Sequence, residues 1–403
     1  MYEEPFEVMA LDSNFEIVSL ISYANLQWSR KFHEVGSFSI LLQGRQYSTT
    51  WKYIYSKSRK ELGIISQVNW SKKNYIESVT ISGYFVESEL NKMICYALPS
   101  HFYDETGDFV GTSLLKNEGL PTWVSWQGTA DQVAKKFFES FKKIAFTNYE
   151  IGDDDGDTLT TSEYELDIDF GTIDNSHGSY HRADHNRNNE RLGDKLYKIL
   201  KFSGASFEVI WDFTTHEKTL NIIHGKDLTQ DNTDGNNPVI FSSANGNIIS
   251  ASLVISNADT KDAVIQTAEN QDTTYVLINQ NSDSIGRFTH QGMKTSINDY
   301  IKSDTPSADI PAQNKAFKLA VMEDATTILD NYIDKQNIEF QIYRGSYEYM
   351  KDYDLGDLIS IQINEIGLSL DARIIACYEV VKRGAWELTL EIGTPLIKSF
   401  STE

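Results

Sequence analysis

The chain is short of the residues that make covalent or catalytic shortcuts. It holds two cysteines in 403 residues, Cys95 and Cys377, far apart and each in an apolar, strand-like context. Two such thiols supply neither a disulfide framework nor a zinc motif, and they read as buried thiols of a protein assembled in a reducing compartment. No G-x-S-x-G, no G-x-x-x-x-G-K-[ST] and no G-x-G-x-x-G occurs, so hydrolase, nucleotide and dinucleotide readings lack a starting residue. The opening M-Y-E-E-P-F-E-V has no basic region followed by an apolar run, so no secretory signal is expected. No apolar run approaches the roughly 20 residues of a membrane span, and the expectation is a soluble chain that leaves a cell by some means other than its own leader. Basic residues are scarce as well: 36 against 58 acidic, a formal charge of -22. That argues against a protein that grips nucleic acid by its phosphates, which needs a basic footprint. An acidic surface can still serve DNA by repelling it, as a pore through which a polyanion slides, but simple solubility is the better reading of the charge alone.

What is present is β-forming material. Hydrophobic residues make up 40% and aromatics 12% of the chain, enough to fill cores and typical of β-dominated proteins. The length exceeds one core and predicts two to four domains. Alternation is clearest at the C-terminal end, where Ile338, Phe340 and Ile342, then Ile361 and Ile363, then Trp386, Leu388, Leu390 and Ile392 place one face of each segment inward. Tyr353-Asp354-Leu355-Gly356-Asp357 is a turn in which Gly356 takes a positive φ. Lys382-Arg383-Gly384 closes the last hairpin. The N-terminal end reads the same way: strands around Val8, Ile17 and Leu26 to Phe32, then 34–42, then a hairpin of 61–70 and 75–84 about Lys72-Lys73-Asn74. The predicted fold class is α+β, rich in β: two tube-like antiparallel β-barrels, residues 1–97 and 241–403, with an α+β middle, 98–240.

The middle carries two amphipathic helices. Thr129 is the N-cap of one running to Lys143, with Val133, Phe137 and Phe141 on one stripe. The other spans about 191–202, with Leu192, Leu196, Ile199 and Leu200 inward and Gly204 as its stop. Strands at 207–211 and 219–223 follow. Strands return over 239–266, the polar stretch 270–310 reads as loop-heavy, and Pro311 opens a long helix over 312–334 within the second barrel domain.

The two ends resemble each other. Ile64-Ile65, Lys72-Lys73, Glu77 and Gly83 match Ile374-Ile375, Lys382-Arg383, Glu387 and Gly393 at one constant offset. Val35-Gly36-Ser37-Phe38 is similar to Leu355-Gly356-Asp357-Leu358. The alternation slips, because Val79 and Ile81 fall out of step with Leu388 and Leu390, which requires a bulge in one copy. A chain with two similar barrels makes a pseudo-sixfold ring from three copies.

Candidate chemistry is sparse. Asp153-Asp154-Asp155-Gly156-Asp157 suits calcium by its hard oxygens, but with Gly156 sixth in an EF-hand loop, Ile151 and Ser162 occupy ligand positions; a solvated acidic loop fits better. His177, His181 and His185 would align on a helix and could hold zinc. Their neighbours Ser176, Gly178, Asn186 and Asn188 make a poor helix, no Glu adjoins them as a base, and a polar connecting loop fits better. Tyr343, Tyr347, Tyr349 and Tyr353, read as exposed aromatics, could stack on sugars, but more simply cover a barrel or an interface. No catalytic, cofactor-binding or metal residue is assigned, and no cofactor is expected. The rival readings, a zinc-dependent cell-wall hydrolase and a host-glycan adhesin, rest on the histidines and the tyrosines.

The ordered motifs F-E-V-M-A-L-D at 6–12, W-S-R-K-F-H-E-V-G-S-F-S-I at 28–40, E-L-G-I-I and I-S-G-Y at 61–84, R-L-G-D-K-L at 191, V-I-F-S at 239, Y-D-L-G-D-L-I at 353 and W-E-L-T-L-E-I-G at 386 resemble those of siphophage tail proteins of the baseplate-hub type. These are relatives of the hub at the tip of contractile tails and of the N-terminal part of tail-associated lysins. The resemblance implies a non-enzymatic structural virion component at the tail tip, assembled in the host cytoplasm. It implies a homotrimer beneath a sixfold distal tail ring, closing the channel until DNA is released. Its partners would be that ring, the tail tube or tape-measure protein, and a fibre or lysin below, with DNA passing unbound. Because the sequence stops at Glu403, lytic or receptor-binding activity is expected on another chain.

Overall fold

The computed structural model describes residues 7–44, 46–73, 76–95, 125–150, 158–173, 182–185, 190–201, 203–256, 263–268, 274–278, 293–297, 335–343, 345–382, 384–393 and 396–399. The N-terminal strands are β1 (Val8–Leu11), β2 (Ile17–Leu20), β3 (Tyr23–Lys31), β4 (Ser37–Leu42), β5 (Tyr53–Ser56), β6 (Leu62–Lys73) and β7 (Ile76–Phe85). They pair antiparallel in the order β3-β4-β7-β6-β5-β1-β2. Period-two alternation decides their faces: Leu26 and Trp28 on β3, Phe38, Ile40 and Leu42 on β4, and Val79 and Ile81 on β7 all turn into one core,.

After a 3-10 turn (Val86–Lys92), the middle contributes β8 (Ile94–Cys95), β9 (Ser125–Gly128), α1 (Ala130–Phe141), β10 (Lys143–Glu150), β11 (Thr158–Glu165), β12 (Asp169–Phe170), β13 (Arg182–His185), β14 (Glu190–Arg191), α2 (Leu192–Lys201), β15 (Ser206–Trp211) and β16 (Lys218–Ile223). Both helices form where the apolar stripes predict. Thr129 and Gln132 make a reciprocal capping box at the start of α1, satisfying amides that the first turn leaves open. Gly204 beyond α2 takes φ +69°. Val133, Phe137 and Phe141 of α1 and Leu192, Leu196 and Ile199 of α2 pack with Phe207, Val209 and Trp211 of β15 and with Met9, Leu11 and Leu62 of the N-terminal sheet in a second core. The middle is thus bound to the back of the N-terminal sheet by apolar burial.

The C-terminal strands are β17 (Asp227–Leu228), β18 (Ile240–Ser242), β19 (Ile248–Ser256), β20 (Ala263–Ala268), β21 (Thr274–Ile278), β22 (Met293–Ile297), β23 (Lys335–Ile342), β24 (Leu358–Ile363), β25 (Leu368–Lys382), β26 (Ala385–Ile392) and β27 (Leu396–Ser399). Most join one large sheet, ordered β19-β23-β26-β25-β3-β4-β7-β6-β5-β1-β2. The sheet is antiparallel along most of its ladders, with β17 and β18 added parallel to β24. The fold is the β-rich α+β class expected. Gly356 takes φ +94° where an added Cβ would meet the Phe32 ring at 2.4 Å, so the turn before β24 requires glycine.

Contacts divide the chain into two compact units, Met1–Ala251 with Glu339–Glu403, and Ser252–Ile338. In the smaller unit β20 lies between antiparallel β21 and parallel β22. The stretch expected to be loop-heavy therefore carries two strands, β21 and β22, built on Tyr275, Val276 and Leu277 and on Met293 and Ile297. The helix expected over 312–334 lies outside the described residues.

Candidate assembly interface

The central feature is a repeat in the backbone ladder. In the β6–β7 hairpin the pairs run from Ile65↔Gly83, past a bulge at Ser66, to Lys73↔Ile76. In the β25–β26 hairpin they run from Ile374↔Ile392, past a bulge at Ile375, to Lys382↔Ala385. Each pair of one hairpin becomes a pair of the other by the same step, 309 residues, that carries Lys73 to Lys382 and Ile76 to Ala385. Both copies bulge at the same place, and the step is one residue shorter than the matching letters suggest. Val79 and Ile81 then coincide with Leu388 and Leu390, and all four are buried.

The correspondence extends to neighbouring strands. Tyr53↔Ile64, Ile54↔Gly63 and Tyr55↔Leu62 of β5 on β6 become Leu358↔Arg373, Ile359↔Ala372 and Ser360↔Asp371 of β24 on β25. The turn at Leu355-Gly356 thus leads into the counterpart of β5, not of β4, correcting its match to Val35-Gly36. On the other side β7 is followed by β4 and β3, and β26 by β23 and β19. The large sheet is the same four-strand order twice, β19-β23-β26-β25 followed by β3-β4-β7-β6.

The two copies meet at β25 on β3, from Ala376↔Lys31 to Lys382↔Asn25. The carbonyl of the bulged Ile375 accepts the Phe32 amide at 2.8 Å. On the inward face of this seam, Cys377, Glu379 and Val381 stand opposite Arg30, Trp28 and Leu26, and all six are buried. Glu379, 1% exposed, accepts from Arg59 Nε and Trp386 Nε1, each at 2.9 Å. Arg30 is paired with Glu61 and with Asp354 at 2.5 Å, and it donates to the Tyr349 hydroxyl at 2.8 Å. Burial opposes the Arg30 charge, but Glu61, Tyr349 and Asp354 overcome it and hold the guanidinium well above its ordinary pKa. Burial likewise works against the Asp354 carboxylate, and Arg30 outweighs it, keeping that group below the usual range,. Burial pushes the Cys377 thiol up to about 12, so it is inert.

Two edges of the repeat remain open. β5 pairs with β6 only as far as Ile64, and from Ser66 to Lys73 no strand lies on the outer side of β6 among the described residues. At the opposite end β19 has a strand on one side alone among the described residues. On the sheet face opposite the core, the N-terminal copy presents Gln27, Ser29, Ser39, Thr80 and Ser82 together with Lys31, Leu41, Lys73 and Ile76. In the C-terminal copy Glu387, Thr389 and Glu391 occupy that face, and Glu339 alternates with buried Ile338 and Phe340.

The residues singled out for chemistry do not converge. Residues 153–157 and His177 and His181 lie outside the described residues. His185 ends β13, which pairs with β9, so a strand stands where a connecting loop was expected. Among the described residues no group of three His, Cys, Asp or Glu is placed to hold a metal ion. Of the four tyrosines only Tyr343 is exposed. Tyr347 donates no sugar-binding face, because its ring packs edge-on against Phe241 and its hydroxyl accepts from the Ile240 amide. Tyr349 is held by Arg30, and Tyr353 is buried. Their alternation with polar residues marked a surface; the fold instead sets Tyr349 against Arg30 of the seam and Tyr347 and Tyr353 against Phe241. Sequence reasoning missed Arg30 and Glu61, and Asp354 and Glu379, two pairs that lie hundreds of positions from each other and carry no shared local signal.

The sequence matches the family model described as Siphovirus ReqiPepy6 Gp37-like protein over residues 7–394. No curated protein matches the chain. Among solved structures it is similar to the 43 kDa tail protein of prophage MuSo2 from Shewanella oneidensis, with TM-score 0.54 and 10% identity over 96% of this chain and 98% of that one. The tail protein from Neisseria meningitidis MC58 gives 0.49 and 12%, covering 96% of each chain. Prophage tail protein gp18 from Listeria monocytogenes EGD-e gives 0.47 and 12%, covering 96% and 94%. At such identities the likeness to the Shewanella protein is one of fold.

Proposed function

The chain belongs to the siphovirus ReqiPepy6 Gp37-like protein family, and from that premise we propose that it is a non-enzymatic hub of the tail tip, three copies of which form a ring closing the distal end of the tail tube. The observation that carries this reading is the doubled four-strand order with one seam made inside the chain and two edges left open. A head-to-tail repeat of this kind either closes or extends into a filament. Three chains supply six near-equivalent units, the number needed to sit beneath a sixfold ring.

The barrel domains 1–97 and 241–403, with 98–240 between them, are the division that suits this arrangement. The sheet face away from the core would line the channel. It offers hydroxyls, amides and carboxylates beside Lys31, Lys73 and a few apolar side chains, and a chain of charge -22 repels a passing polyanion. The partners would be the distal tail ring and tube or tape-measure protein above and a fibre or lysin below. The setting is the virion, after assembly in the host cytoplasm. Mass photometry at micromolar concentration, alone and with the distal ring protein, tests the reading. A trimer is expected in at least one condition, and a stable monomer in both overturns it.

A further inference from the structure

The open edge of β6 carries a side chain that its counterpart at the seam does not. Trp70 stands opposite Val79 as Glu379 stands opposite Leu388, so the two residues hold the same ladder position on the same inward face. Glu379 is covered by β3 and Arg59 and is 1% exposed; Trp70 is 60% exposed. Its neighbours on that face, Val79 and Ile81, are buried, and Val68 packs against the same core. The indole is exposed because, among the described residues, no strand lies outside it. Residues 66–73 form an edge with no partner strand among the described residues; such edges are ordinarily blunted by inward charge or by a bulge, and this one has the Ser66 bulge at one end and inward Lys72 at the other, with a tryptophan between them.

We propose that Trp70 anchors the contact between copies, inserting under the β19 edge of a second copy in the place that Glu379 occupies at the seam within the chain. The occupant follows from the repeat. The strand that covers β25 is β3, and the counterpart of β3 is β19, whose outer edge is open among the described residues and whose Ile249 is 56% exposed. The seam within the chain is therefore ionic at this position, while the one between chains is apolar. Tryptophan, with tyrosine and arginine, is enriched among the anchors of such contacts.

This inference rests on the ring reading, and the experiment separates the two. The full chain, Trp70→Ser, Trp70→Phe and a control, Ile17→Ser at the exposed β2 end of the sheet, are compared by mass photometry over a dilution series, with amide exchange across residues 66–73. Trp70→Ser should keep the monomer's melting temperature and weaken the trimer by about thirty-fold or more, the size of a hot-spot loss. Trp70→Phe should recover most of the affinity, Ile17→Ser should match the parent, and the amides of 66–73 should gain protection only in the trimer. A parent that is monomeric under both conditions sinks the ring itself. A trimeric parent whose Trp70→Ser variant dissociates no more readily, or whose residues 66–73 exchange freely in the trimer, leaves the ring standing and overturns the role of Trp70.

Discussion

The hairpins β6–β7 and β25–β26 share a ladder, a bulge and a core-facing set, yet their outer strands live in opposite surroundings. On β25 the inward positions Cys377, Glu379 and Val381 are all buried, because β3 covers them. On β6 the same positions are Val68, Trp70 and Lys72, of which Trp70 is largely in water and Lys72 pairs with Glu77 at 3.3 Å near the surface. Backbone geometry is thus set by the repeat, and side-chain chemistry by what lies beside each copy. Where the chain supplies its own neighbour, charge can be buried, since Arg59 and Arg30 arrive with their carboxylates already tethered.

The comparison breaks most forcefully at Arg30. Arg30→Ala strands Glu61 and Asp354 without their shared cation, and loss of one partner from a buried pair costs about 3–5 kcal/mol. Lys72→Ala, which removes the exposed Lys72–Glu77 pair at the matching hairpin, should cost under about 1 kcal/mol. Urea-denaturation midpoints of the two variants measure the difference, and equal losses would mean that the seam is no more committed than the open edge.

A smaller effect tests the ladder itself. Gly83 holds the place that Ile392 holds 309 residues on, although both oppose an isoleucine, Ile65 and Ile374. A Cβ at Gly83 would lie 1.8 Å from the Ile64 carbonyl oxygen and 2.9 Å from Cζ of Phe38. Gly83→Ala should destabilise by about 1–3 kcal/mol, the usual penalty of overpacking. Adding Phe38→Leu should not restore the melting temperature, because the nearer obstacle is backbone. Full recovery in the double variant would show that the ring sets the glycine requirement.

Local signals carried the sequence reading a long way, and they failed where partners are remote. The helix at Ala130–Phe141 was legible because Thr129, Gln132 and the Val133-Phe137-Phe141 stripe all lie within one short window. The duplication was legible too, but its register was off by one. The identical letters Ile64-Ile65 and Gly83 drew the match toward Ile374-Ile375 and Gly393, whereas the buried positions Val79 and Ile81 align with Leu388 and Leu390. A bulge expected in one copy is present in both, so burial was the better guide than identity. Tyr349 and Tyr353 looked like surface because alternation reports only that a residue has two differing faces, and the far face here meets another part of the chain. The ion cluster joins Arg30 to Asp354, a pairing no window of sequence contains.

The last contrast begins where the hairpins end. Beyond β26 the chain returns to β25 as β27, and its residue at the matching place is Leu396. Beyond β7 it enters the Val86–Lys92 turn, which buries Glu87 against Tyr197, Glu61, Glu208 and Arg30, with Lys31 and Glu34 lining the same small cavity. One Glu87 oxygen has the Val209 amide at 3.5 Å, and the other, Oε2, has no hydrogen-bond partner among the described residues. Burial pushes the carboxyl up to about 8, with Glu61 and Glu208 adding to it. The native state therefore keeps a proton that the unfolded chain, titrating near 4.5, has released, so stability is full at low pH and is lost as pH rises toward 8. Glu208, also raised by burial, acts in the same direction. His33, lowered by burial to about 4, acts oppositely, but only below its ordinary pKa near 6.5. Between pH 7 and 8 the histidine is silent, and the parent should lose about 1 kcal/mol more than Glu87→Gln, approaching the limit of about 1.4 kcal/mol per pH unit for one proton. Melting temperatures across that single unit decide it. Parallel slopes would mean that the N-terminal hairpin ends as quietly as its copy does at Leu396, and that the unpartnered oxygen finds its proton or its partner elsewhere.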